Sequence, residues 1–101
     1  MSVIEIVRFR LNAGVTSTQA TAAWEKSQSF VQSQPGFLRR RLATTSDGEW
    51  LDEVEWESLD HAHAASAAFD PEAHPELMDL VAILDQTSMT MTHYTIQGRS
   101  S

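Results

Sequence analysis

Two runs of alternating character, FLRRRLATT (37–45) and WLDEVEWE (50–57), flank the tetrapeptide Ser46-Asp47-Gly48-Glu49. Asp-Gly between such runs is a strong hairpin signal, because both residues tolerate the positive φ of tight hairpin turns. The chain must therefore contain an antiparallel pair of strands. With Asp47 and Gly48 as a two-residue turn, Ser46 stands opposite Glu49. Counting outward, Arg41 faces Val54, Arg40 faces Glu55 and Arg39 faces Trp56. Arg40 and Glu55 then form a cross-strand ion pair. Phe37, Arg39, Arg41, Trp50, Asp52, Val54 and Trp56 share one face.

The rest of the chain supplies partners for this hairpin. Val3 to Leu11 reads as a strand, with Val3, Val7, Phe9 and Leu11 on one face and Glu5 interrupting it; Ile4, Ile6, Arg8 and Arg10 take the other. Ser17 to Ser33 has helical spacing, with Ala20, Ala23, Trp24, Ser27, Phe30 and Val31 on one stripe. Thr16 and Gln19 fit a capping box, and Gln34-Pro35-Gly36 ends the helix. Ser58 suits the N-cap of a second helix over about Leu59 to Phe69, which Asp70-Pro71 breaks. A short helix follows over about Pro75 to Leu84, with Pro75 in its first position. The last strand is Thr87 to Gln97. Met89, Met91 and His93 lie on one of its faces, and Thr90, Thr92, Tyr94 and Ile96 on the other.

Strand, helix, strand, strand, helix, strand is the ferredoxin-like βαββαβ order of an α+β domain with an antiparallel sheet. Right-handed crossovers put strand three between one and two, and strand one between three and four. The helices cover one sheet face. The other carries apolar residues as well, and a second copy of the chain is the simplest cover, so a homodimer is expected. Residues 1–98 form one domain, and 99–101 are expected to be a loose tail.

The charge balance excludes some classes of partner. Seven basic residues stand against fourteen acidic, a net charge of −7. A nucleic-acid binder needs a basic surface, so no nucleic-acid partner is expected. No apolar run is long enough to cross a bilayer, and MSVIEIVRFRL lacks a signal-peptide pattern. With no cysteine, thiolate metal sites and disulfides are excluded. No membrane partner and a cytoplasmic location are the expectations.

The segments QPGFLRRRL, TSDGEW and EWESLDHAHAA, in this spacing, resemble the antibiotic biosynthesis monooxygenase family. The element order extends the resemblance over essentially the whole chain. It implies a dimeric α+β barrel, in which two ferredoxin-like sheets close around a central barrel. It also implies, for some members, oxidation of a small aromatic or phenolic compound without flavin or metal; related members degrade haem, and many have no assigned activity. Trp56 matches the tryptophan that quinone-forming members place in their substrate cavity, and it serves equally well as a core aromatic. Four residues earlier those members carry an asparagine, and here Asp52 stands. An ionised aspartate cannot donate a hydrogen bond to an oxyanion, so Asp52 is either a base or the ion-pair partner of Arg39 or Arg41. The family's tyrosine and a later arginine fall near Ala62 and near Leu77 or Met78, and both are missing.

Other candidates come from the residues themselves. His93 lies on the apolar face with Met89 and Met91, where its imidazole is either a satisfied core group or a general base near neutral pH. Arg39 and Arg41, with Arg8 and Arg10, are candidate stabilisers of a bound anion, and also ready partners for Glu5, Asp52 and Glu53. Met89 and Met91 would line the pocket. His61 and His63 are two apart on a helix, hence about 200° apart around its axis, and cannot chelate one ion. His74 lies near the position of the iron ligand in haem-degrading relatives, and equally starts a helix. The resulting expectation is an oxygenase with His93 or Asp52 as base and Trp56, Arg39, Arg41, Met89 and Met91 about a small-molecule ligand, with no metal and no cofactor. The alternative is a binding or structural dimer without chemistry.

Overall fold

In the computed structural model, which describes residues 1–101, the hairpin loop holds three residues. Thr45 N–H donates to the Glu49 carbonyl at 2.8 Å, and Gly48 N–H donates to the Thr45 carbonyl at 3.2 Å. Ser46, Asp47 and Gly48 form the loop, with Gly48 at φ +92°. This is the three-residue hairpin with a glycine in its left-handed position. The Thr45 hydroxyl, and after it the Arg10 guanidinium, hold the Asp47 carboxyl below the usual carboxylate range.

The extra loop residue changes what the hairpin presents. Strands β2 (Phe37–Thr44) and β3 (Trp50–Trp56) pair with Leu42 opposite Asp52, Arg41 opposite Glu53, Arg40 opposite Val54 and Arg39 opposite Glu55. A slip of one residue turns every side chain of a strand to the other face. The expected Arg40–Glu55 pair therefore does not form. Arg39 meets Glu55 at 3.4 Å, Arg41 meets Glu53 at 2.7 Å, and Arg40 turns to the opposite face. A bulge at Leu38 returns Phe37 to the face it was expected to share with Trp56, and Phe37, rather than the expected Arg39, stands directly opposite Trp56.

Most other elements follow the sequence reading. They are β1 (Val3–Leu11), α1 (Ser17–Ser33), α2 (Leu59–Ala68), a 3-10 turn at Pro75–Leu77 leading into α3 (Met78–Ile83), and β4 (Leu84–Thr95). The antiparallel sheet has the order β2-β3-β1-β4. Thr16 and Gln19 complete the capping box, and the Ser58 hydroxyl accepts from His61 N–H. β4 begins three residues earlier than expected. Arg8 pairs with Thr90 but Arg10 pairs with Asp85, so Gln86 to Met89 all stand against Phe9. The Ser88 hydroxyl fixes this bulge, accepting from Arg10 N–H and donating to the Asp85 carbonyl.

All three helices pack on one sheet face. Val3, Val54 and Trp56 bury against Phe30, Val31, Ala62, Ala65 and Leu77 at one end. Phe9 and Trp50 bury against Ala20 at the other. Alanines at 20, 62 and 65 let the helix backbones approach the sheet closely. Gly36, at φ +83°, follows the end of α1, and a Cβ there would collide with the His61 ring. The opposite sheet face carries Ile4, Ile6, Leu51 and Tyr94 and has no helix over it. Glu55, on that face, is buried by Arg39 and by Arg99, which ties the C-terminal tail to the sheet at one point.

Candidate functional site

The two packed groups do not meet. Between the sheet and the helices lies a mostly apolar cavity of about 380 Å³. Protein interiors seldom leave voids much larger than a water molecule, whereas pockets for small molecules start at about 300 Å³. Val7, Phe9, Val54 and Trp56 form its sheet wall, and Phe30, Val31, Ala65 and Leu80 its helix wall. Phe69, Met89 and Met91 also line it and are each more than a third exposed, so they form its rim. The β4 bulge carries Gln86 and Met89 to that rim.

Three polar features break the apolar lining. The first is the indole of Trp56, which is 2% exposed and whose Nε1–H is itself buried and, like that of Trp24, has no hydrogen-bond partner in the protein. A buried donor without an acceptor costs about 1–3 kcal/mol unless a ligand or water supplies one.

The second is an ion pair formed by Arg40 and Asp52. Arg40 Nε and Nη2 donate to the two Asp52 oxygens at 3.1 and 2.7 Å. Its Nη1 donates to Ser27 Oγ and Gln28 Oε1, and the guanidinium lies 4.7 Å from the centre of the Trp24 ring. The Arg40 side chain is 2% exposed. Asp52 is thus neither paired with Arg39 or Arg41 nor free to act as a base, since both its oxygens are engaged.

The third is a dyad of Glu5 and His93. Glu5 lines the cavity and is 8% exposed. His93 stands directly opposite it on β4, and 2.9 Å separates His93 Nε2 from Glu5 Oε2. Nε2–H donates in this pair, because an ionised carboxylate only accepts. Behind His93, the ring of His63 packs edge-on at a centroid distance of 5.3 Å.

The sequence candidates therefore separate. Trp56, Asp52, Met89 and Met91 line the cavity. His93 lies one residue behind its wall, reaching it through Glu5. Arg39 and Arg41 do not belong to the site: they point to the helix-free face and are largely exposed, a consequence of the three-residue loop. Arg10 serves the hairpin, donating to the Asp47 carbonyl at 3.0 Å. His61 packs on Gly36, with Nδ1 2.7 Å from the Ser58 hydroxyl. His74 packs its ring on Phe30 before the 3-10 turn and is absent from the cavity wall, so the residue nearest a haem-ligand position is a packing residue. No three His, Asp or Glu side chains are grouped to hold a metal ion. No helix is long and apolar enough to cross a membrane.

Sequence reasoning missed Arg40 and Glu5. Arg40 was hidden by the one-residue register error. Glu5 carried a visible signal: it is the one charged residue in the alternating series Val3, Glu5, Val7, Phe9, and a carboxylate on a core-facing stripe needs a reason.

This geometry defines a class, the ferredoxin-like α+β domain with a ligand-sized cavity between sheet and helices. No protein-family model matches the sequence, and no curated protein matches it. Solved structures do match. A single-residue variant of SnoaB, a cofactor-independent oxygenase from Streptomyces nogalater, superposes with a TM-score of 0.75 at 20% identity, covering 97% of this chain and 95% of that one. A protein from Bordetella bronchiseptica, provisionally described as an antibiotic biosynthesis monooxygenase, gives 0.79 at 11% identity over 95% and 97%. A dimeric ferredoxin-like protein of unknown function from Thermobifida fusca gives 0.69 at 14% over 95% and 92%. The chain has the fold of antibiotic biosynthesis monooxygenase structures.

Proposed function

We propose that the chain is a cofactor-independent monooxygenase-like protein that takes a small aromatic or phenolic compound into this cavity. The observation that carries the reading is the cavity itself: about 380 Å³, apolar on both walls, with Trp56 on its lining. An aromatic ring matches the walls. Oxygenation without a cofactor requires a dry pocket, a base and an electron-rich substrate anion that itself reduces O₂. The likeness to SnoaB supports the reading at the level of fold. We place the protein in the cytoplasm, as a homodimer joined through the helix-free face of the sheet. The likeness to a dimeric ferredoxin-like structure supports that assembly.

One observation favours a second reading, a binding protein without chemistry. Arg40 spends its donors on Asp52, Ser27 and Gln28 and offers little to a substrate anion. Oxygen uptake with a panel of phenols, naphthols and anthrone-type compounds separates the two. Uptake above the protein-free rate, abolished under anaerobic conditions, supports the oxygenase. Quenching of tryptophan fluorescence without any uptake supports the binder. Neither response across the panel removes the cavity reading altogether.

A further inference from the structure

Glu5 is hard to explain as a structural residue. It sits in the middle of β1 on the face that the helices cover, with Val3 and Phe9 buried on the same face. It has no arginine or lysine partner; the cations nearest this wall are spent elsewhere, with Arg40 on Asp52. Only Oε2 has a hydrogen-bond partner in the protein, the His93 imidazole, and Oε1 has none. A carboxylate nine-tenths buried, half satisfied and lining an apolar cavity is costly to the fold, and its free oxygen is open to a proton from a ligand.

We propose that Glu5 is the proton acceptor of this cavity and that His93 is its positioning residue. The proposal rests on the cavity being a site for an aromatic or phenolic ligand. The acidic C–H or O–H bond of the ligand breaks, its proton passes to Glu5 Oε1, and the electron pair stays on the ligand as an enolate or phenolate. His93 holds the carboxylate through Oε2, which leaves Oε1 facing the ligand. This arrangement is that of a base oriented by a second group, with the usual imidazole and carboxylate roles exchanged. The charged and titratable groups around the carboxylate come from each neighbouring element: His93 from β4, the Asp52–Arg40 pair from β3 and β2, and His63 from α2 behind His93. Asp52 lies diagonal to Glu5 across the β1–β3 ladder, since it is paired with Val7. Its charge is held by Arg40, so it does not compete for the ligand proton.

Proton abstraction can be read without oxygen chemistry. Anthrone, an aromatic ketone with an acidic methylene, is incubated anaerobically with the protein in D₂O, and deuterium incorporation is followed by mass spectrometry. Binding is followed in parallel by tryptophan fluorescence. The wild type is expected to raise exchange above the buffer rate. Glu5→Gln is expected to lower the protein-dependent rate by about 10²-fold or more, the usual worth of a general base, while still binding anthrone and melting cooperatively. His93→Ala is expected to lower exchange with a changed pH profile, and His93→Gln, which keeps a donor, to recover part of the loss. Glu5→Gln exchanging at the wild-type rate overturns the proposal. So does a wild type that binds anthrone without exchange, and in that case the cavity reading survives. A wild type that does not bind anthrone overturns the proposal as well, and the cavity reading falls with it only if no phenol or naphthol of the panel binds either. Exchange without oxygen uptake leaves Glu5 as the acceptor and removes only the oxygenase.

Discussion

Replacing Arg40 with methionine tests whether Asp52 is held as structure. Methionine fills most of the space of the arginine stem but leaves the Asp52 carboxylate, 12% exposed at its side chain, without a counter-ion. Removing one partner of a buried pair costs about 3–5 kcal/mol. The lost contact with Trp24 adds about 0.5–2 kcal/mol. Against this, Asp52 borders the cavity, through which water can reach it, so the expected loss is near the lower end, about 3 kcal/mol. A domain of this size has about 5–15 kcal/mol in total, so the variant should fold and unfold at markedly lower urea. The double variant Arg40→Met with Asp52→Leu removes both charges. It should recover to within about 1.5 kcal/mol of wild type, because apolar replacement of a whole buried pair is often near neutral. Ser27 keeps its bond to the Trp24 carbonyl at 2.6 Å in either case. The assay is equilibrium urea unfolding at one fixed chain concentration, since self-association would otherwise shift the midpoint. A loss below about 1 kcal/mol in the single variant refutes the reasoning. A double variant as damaged as the sum of its singles does so too.

Two further outcomes follow from the fold. Gly36→Ala should cost more than the ordinary 1 kcal/mol or so of a strained φ, because its Cβ also meets the His61 ring. Adding His61→Ala should return only the part due to the ring, since the His61 Cβ itself lies 2.7 Å from the added Cβ, as thermal melts of the single and double variants will show; equal melting of wild type and Gly36→Ala would contradict the geometry. Ile6→Glu, in the middle of the helix-free sheet face, should convert the proposed dimer to monomer in sedimentation velocity, and an unchanged sedimentation coefficient would count against that face as the interface.

The architecture was legible because several weak signals agreed. Thr16 with Gln19, Ser58, Pro75 and the position of Gly36 each mark an element end through local chemistry, and the structure uses each one so. Their order then leaves few topologies, and the observed β2-β3-β1-β4 sheet is the one expected. The site was less legible, for a physical reason. Asp-Gly fits both a two-residue loop and the last two positions of a three-residue loop, and these differ by one residue in register. In a run of three consecutive arginines, nothing in composition says which one faces the core. The sequence Arg39-Arg40-Arg41 is therefore blind to the error, whereas a run with one arginine among apolar residues would have exposed it. The β4 bulge was likewise invisible, because the serine that fixes it, Ser88, bonds to Arg10 across the sheet.

That single register shift connects the departures at this site. An asparagine at position 52 would be neutral and need no counter-ion. An aspartate there, facing an apolar cavity, needs one on the same sheet face, and only the observed register provides it. Arg40 can reach Asp52 because Leu42, two residues on, is Asp52's direct partner and keeps the whole arginine side chain on the cavity face. Arg39 and Arg41, held to Glu55 and Glu53 on the other face, cannot. Once Arg40 and Asp52 neutralise one another, the wall is left with a single carboxylate lacking a cation, Glu5. A free carboxylate oxygen on the lining of one apolar cavity is what a ligand with an ionisable proton would complete, and the chemistry of the site is therefore to be sought on β1 rather than at the arginine cluster or the helix histidines.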